Sequence, residues 1–186
     1  MLNVSHLFEP LKLRDTLIPN RVWVSPMCQY SAHNGVPNDW HLVPLGQFAL
    51  GGAGLVIAEA TAVVPEGRIS PADTGLWNDE QASAWRRITD FLRAHGAVPA
   101  IQLAHAGRKA STAVPWEGEH TVPETEGGWP TVSSTNQPFG SLAAPRALTT
   151  DEVAALPEHF AAAARRAETA GFDVVELHFA HGYLAH

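Results

Sequence analysis

The stretch ELHFAHGYLAH (176–186) places two histidines, His178 and His181, three residues apart, with Tyr183 just beyond. Three kinds of chemistry suit such a group. The imidazoles could ligate a metal, with His105 and a carboxylate such as Glu59 or Glu176 completing the set. They could donate two N–H bonds to a carbonyl or nitro oxygen, with Tyr183 as proton source. Or they could be buried packing. Zinc-binding pairs of the HExxH type stand four apart on a helix, whereas this pair sits at the end of an apolar, strand-like run. Alternation along a strand sends i and i+3 to opposite faces unless the chain has already turned, and Gly182 favours such a turn.

Other polar residues also sit late in apolar runs: Ser25-Pro26-Met27-Cys28, Glu59-Ala60-Thr61, and Gln102 with His105. In a parallel barrel those positions converge on one mouth. The planar amide of Gln102 carries a donor and an acceptor and suits the edge of a heterocycle with C=O and N–H groups. None of these side chains supplies a hydride, so a reduction here requires a cofactor.

The elements that would position these groups alternate. RVWVSPM (21–27), GLVIAEATAV (54–63), VPAIQLAHAG and FDVVELHFAH read as strands, the second with the near-continuous apolar start of a parallel strand buried on both faces. Helices are expected over WHLVPLGQFALGG, DEQASAWRRITDFLRAHG and TDEVAALPEHFAAAARRAETAG. Asn78 with Gln81 and Thr149 with Glu152 are spaced as capping boxes, and Gly96 and Gly171 are placed as stops. This order predicts an α/β fold with a parallel sheet and helices outside it. GGAG (51–54) precedes its strand and reads as a helix cap, so the dinucleotide-binding fingerprint is missing. The unit from Gly96 to Gly171 carries about 33 more residues than the unit from Gly54 to Gly96, in a Pro/Gly/Ser/Thr-rich excursion. That excursion, 112–146, is expected to be a long βα loop over the site, with Trp116, Trp129 and Phe139 packing it down.

The 186 residues are 45% hydrophobic, enough for a buried core, and carry a formal charge of −7. No Lys/Arg run exceeds a pair, as at Arg86-Arg87, which argues against nucleic acid as a partner. The N-terminal stretch lacks the order of a signal peptide and no apolar run approaches a membrane span, so a cytoplasmic protein is expected. The single cysteine, Cys28, excludes an internal disulfide and fits a reducing compartment.

Four separated segments resemble the Old Yellow Enzyme family of FMN-dependent ene-reductases, nearest to its cysteine-containing branch. They are LFEPLKLRDTLIPNRVWVSPMCQYSAHNGVPNDWH, GGAGLVIAEATAVVPEGRIS, IQLAHAGRKAS with PWEG, and AGFDVVELHFAHGYL. The resemblance implies a (β/α)8 TIM barrel, of which this chain covers roughly strands 1–4, with FMN at the C-terminal mouth. It further implies NADPH as reductant, an α,β-unsaturated carbonyl or nitro compound as substrate, no metal, and a homo-oligomer. Carried over motif by motif, Ser25, Pro26 and Met27 would line the flavin, Cys28 would lie beside its N5, and Ala60 would pack on it. Gln102 would meet its pyrimidine edge, and Tyr30 would contact substrate. His178 and His181 would clamp the substrate oxygen, with Tyr183 as proton donor. Residues 1–20 resemble a hairpin that plugs the barrel floor. Arg108 and Lys109 match a motif of the family and are expected to support the site or its loop.

Members of that family run to roughly twice this length, so 1–186 is expected to be the N-terminal half of a single barrel domain. The competing expectation is a non-catalytic half-barrel that assembles with a complementing half.

Overall fold

A computed structural model describes residues 5–186. Residues 1–4 of the expected floor segment lie outside the described residues.

A short hairpin, β1 (Leu11–Leu13) and β2 (Thr16–Ile18), leads into β3 (Trp23–Val24) and helix α1 (Asp39–Leu50). Then follow β4 (Leu55–Ala62), α2 (Asp79–Ala94) and β5 (Val98–Ala104). Inside the long connection lie two-residue strands β6 (Val132–Ser133) and β7 (Arg146–Ala147), and the chain continues through α3 (Thr150–Thr169) to β8 (Val174–Leu177). The strands β3-β4-β5-β8 form one parallel sheet in that order, with Trp23 beside Leu55, Leu55 beside Val98 and Ala100 beside Val174. Such strands need crossovers, and the three helices supply them.

Both predicted capping boxes are present. Asn78 accepts from the Gln81 N–H while the Gln81 side chain reaches back, and Thr149 and Glu152 do the same for α3. Asn38 and His41 form a third box, at the start of α1, that the sequence reading missed. Gly96 and Gly171 follow α2 and α3 with φ of 84° and 88°, a backbone region open mainly to glycine.

The two faces of the sheet differ. Val56, Ala58, Ile101 and Leu103 face the helices and pack with Leu76, Trp85, Ile88, Leu92 and Phe172. Leu55, Ile57, Val98 and Ala100 face the other way and meet Ile18 of the hairpin, which is wholly buried beneath the strand starts. Full burial of each large side chain stabilises the fold by roughly 1.5–3 kcal/mol. Alternation then carries Gln102 and Glu176, paired in register, onto the face of the small cluster, near the strand ends.

β4 carries one irregularity. Ala58 pairs with Ile101 and Ala60 with Gln102, so Glu59 is an extra residue. Such a bulge re-aims side chains. Here it sets Ala60 beside Gln102 and lets Glu59 reach His41 of α1.

Two expected strands are shorter than their apolar runs. Only Trp23–Val24 of 21–27 and Val174–Leu177 of the fourth run pair as strands, because beyond them the chain departs to build the site. Within 112–146, Trp129 packs under the Arg68 guanidinium, 4.5 Å from its ring centroid, and donates its indole N–H to the Glu66 carbonyl at 2.9 Å. Phe139 lies 4.0 Å from the Lys109 ammonium. Trp116 departs from expectation: it is 69% exposed and meets only the edge of Tyr30 at 5.9 Å.

Candidate active site

Beyond β3 the chain runs extended through Ser25, Pro26 and Met27, with Ser25 and Met27 exposed and Cys28 and Tyr30 partly buried. Tyr30 has a φ of 49°, in the left-handed region. Burial, then Asp73 and Glu59, push the Cys28 thiol up to about 12 against the smaller downward pull of the Ala60 N–H and the Tyr30 hydroxyl, so it is a neutral S–H at physiological pH. Asp73 is itself pushed up to about 6 by burial, although Ser70 Oγ and the Ile69 N–H donate to it at 2.6 and 2.8 Å.

The opposite wall is built by β8 and the turn after it. The His178 N–H still pairs with the Leu103 carbonyl at 2.9 Å, after which the chain reverses through His181 and Gly182, with φ of 57° and 71°. The reversal cancels the strand alternation. The two rings meet at right angles with centroids 5.1 Å apart, and the Tyr183 ring lies 4.7 Å from that of His178. The Ala180 N–H donates to His178 Nδ1 at 3.3 Å, which places the ring proton on Nε2, 3.4 Å from His181 Nδ1. Burial, then His181, lower the His178 pKa, so a neutral imidazole is the resting form. Burial, then Cys28 and Asp73, raise Tyr183 to about 12, keeping its hydroxyl protonated.

Gln102 lies between the walls. Its amide donates to Glu176 Oε1 at 2.5 Å, leaving the amide oxygen as an acceptor. The Lys109 ammonium donates to the His181 carbonyl at 2.6 Å and lies 5.6 Å from the Tyr183 ring, so it ties the turn to Phe139 of the long connection.

His105 is not part of this group. It follows the helix-facing positions of β5 and lines a cavity of about 160 Å³ with Glu66, His159 and Glu152. Burial, then His159, depress its pKa to about 4. Among the described residues, no three His, Cys, Asp or Glu side chains are gathered as a metal site. Asp73 escaped the sequence reading: it follows no apolar run, and only its burial marks it.

Residues 6–186 match the profile of the NADH:flavin oxidoreductase / NADH oxidase family. The chain belongs to this family. It is 46% identical over 185 residues to an NADH:flavin oxidoreductase of Gibberella zeae, covering 97% of this chain and 45% of that one. It is also 46% identical over 186 residues to an NADPH dehydrogenase of Listeria monocytogenes, covering 98% of this chain and 51% of the relative. Among solved structures, morphinone reductase superposes with a TM-score of 0.81 at 31% identity, over 98% of this chain and 50% of its own. The old yellow enzyme homologue from Zymomonas mobilis gives 0.79 at 31%, over 97% and 50%. The chain thus spans about half the length of the curated relatives it matches, and its four strands form half of the TIM barrel of its structural neighbours.

The residues present fit a flavin mononucleotide. An isoalloxazine edge offers alternating C=O and N–H groups, which the free acceptor of Gln102 and the neutral Cys28 S–H can meet. Ala60, small and turned to the inner face by the bulge, leaves room for a planar ring.

Proposed function

We propose that the chain forms one half of an FMN-dependent ene-reductase, which consumes NADPH and reduces the C=C bond of an α,β-unsaturated carbonyl or nitro compound. The observation that supports the reading is the gathering of His178, His181 and Tyr183 just past the end of β8, the strand whose Glu176 pairs with Gln102. Ser25, Pro26, Met27, Cys28, Ala60 and Gln102 would hold the flavin, and Tyr30 the substrate's flank. Bound there, FMN would supply the hydride-transfer chemistry that links the nicotinamide reductant to the alkene, which none of these side chains can supply.

The chain's own residues do the rest. His181 donates Nε2–H to the substrate oxygen, and His178 turns its Nε2–H from His181 to the same atom, stabilising the negative charge that grows there. Neutral imidazoles suit this role, and the lowered His178 pKa favours it. Tyr183, held protonated, delivers a proton to the α-carbon. The 112–146 connection, tied down through Trp129 and Phe139, shields the mouth from water.

The test is ligand titration of the flavin. Phenols should perturb its visible band, and His178→Ala and His181→Ala should each weaken that binding about 10–100-fold. Variants that titrate like the parent would remove the clamp from the reading. A second reading, a non-catalytic half-barrel that needs a complementing half, is favoured by β3 and β8 each pairing on one side only. A colourless purified dimer would support it, and flavin absorbance in the purified protein would sink it.

A further inference from the structure

The chemistry above leaves two buried carboxyl groups unused in the Cys28 wall, Asp73 and Glu59, and the second sits in the strand itself. Glu59, the bulge residue of β4, is 3% exposed. Its Oε2 accepts the Gln29 N–H at 2.5 Å, in the middle of the Cys28–Tyr30 turn. Its Oε1 lies 3.5 Å from His41 Nε2, and neither atom has a hydrogen-bond partner. His41 Nδ1 accepts the Asn38 N–H at 3.1 Å, so the ring proton sits on Nε2 and faces the carboxylate. At this separation the contact is a charge held by a dipole, weaker than a full hydrogen bond. The same α1 terminus grips the turn twice more, through Trp40 Nε1 to Gln29 Oε1 at 3.1 Å and Asn38 Nδ2 to the Ser31 carbonyl at 2.6 Å.

A carboxylate is costly to bury, and a bulge costs a ladder position. The combination at a strand end calls for a use beyond packing. We propose that Glu59, backed by His41, is a positioning residue that fixes the Cys28–Tyr30 turn against the flavin and sets a negative charge behind the Cys28 thiol. The groups whose charge or dipole bears on that sulfur are Tyr30 on its own segment, Glu59 and the Ala60 N–H of β4, Asp73 from the following loop, and Tyr183 beyond β8. Burial first, and then the Asp73 and Glu59 carboxylates, keep the sulfur protonated, so Cys28 meets the flavin as a hydrogen-bond donor and not as a thiolate.

The proposal rests on the reading of Cys28 as flavin-facing, and its test separates the two. Cys28 is alkylated with iodoacetamide between pH 7 and 10 and followed by peptide mass spectrometry, in the flavoprotein and after flavin removal. Replacing Glu59 by glutamine keeps an acceptor for Gln29 and removes the charge. In the flavin-free protein Glu59→Gln should move the alkylation profile about one pH unit lower, roughly tenfold faster at pH 8. Glu59→Asp, which keeps the charge, should retain the slow parental profile. A profile unmoved by Glu59→Gln overturns the proposal. Should that variant fail to fold, His41→Phe keeps an aromatic ring and removes the N–H facing the carboxylate, so the charge is held less firmly behind the turn. It should shift the profile the same way by less, and no shift overturns the proposal. Protection of Cys28 by added FMN is the separate readout: its absence would refute the flavin-facing reading while leaving the link from Glu59 to Cys28 standing.

Discussion

The two walls of the mouth are built on opposite plans. The Cys28 wall is sealed: β4 is buried along its whole length, Glu59 and Asp73 are enclosed, and His41, Trp85 and Phe172 stack edge to face behind it. The His178 wall is open: most of β8 is exposed, α3 buries only Ala163 and Ala167 fully, and an apolar groove of about 550 Å³ runs between Phe160, Leu177, Phe179 and Leu184. Perturbed acidities occur on both walls, and burial is the leading cause on each, as at Tyr183 and His178 on the open side. The thiol and Asp73 are moved chiefly by desolvation on the sealed side, where charges act at full strength. His178 keeps solvent within reach. β8 is the edge of the half-barrel, so its exposure and that of α3 are those of an unpaired edge, whereas β4 is enclosed on both faces.

This contrast is breakable. The largest effect is expected behind the sealed wall, where Trp85→Ala should cost about 3–5 kcal/mol in denaturant unfolding. A loss below about 1 kcal/mol would mean that the wall is loosely packed. Next comes acidity. Asp73, raised from 3.8 to about 6, is protonated in the fold and ionised in the unfolded chain across that window, so its contribution to stability is lost as pH rises. His105, depressed from 6.5 to about 4, contributes the opposite slope, with stability lost as pH falls. Relative to the parent, Asp73→Asn should gain up to about 3 kcal/mol from pH 4 to 6, and His105→Gln should lose its advantage over the same rise. Parallel stability curves for Asp73→Asn and parent would show that the carboxyl is hydrated. The smallest effect belongs to the open wall: Phe179→Ala, which leaves only a half-exposed ring edge on Phe160, should change stability by less than about 1 kcal/mol.

Much of this was readable in the chain itself, for identifiable reasons. Near-continuous apolar, β-branched runs such as that around Ile57 announce a buried strand, and the two capping boxes at Asn78 and Thr149 mark helix starts through strictly local bonds. The Gly182 turn was likewise local, and with it the approach of His178 to His181. What resisted reading depends on contacts far apart in sequence. The bulge at Glu59 is visible only against β5, the reach of Glu59 to Gln29 spans thirty residues, and Asp73 becomes unusual only once it is buried. His105 looked equivalent to His178, yet the alternation of β5 sends it to the outer side. Trp116, expected to pack, is held by a single edge contact.

The left-handed backbone at His181 restricts the alphabet available to anyone who would redesign this mouth. At a φ of 57° a β-branched or bulky aliphatic residue is strained, while asparagine, aspartate, histidine and glycine are tolerated. Altering the proposed clamp by substitution at this one position therefore offers a short menu. Asparagine keeps a neutral donor, aspartate reverses the polarity and welcomes a cationic guest, and glycine abandons the contact and enlarges the opening.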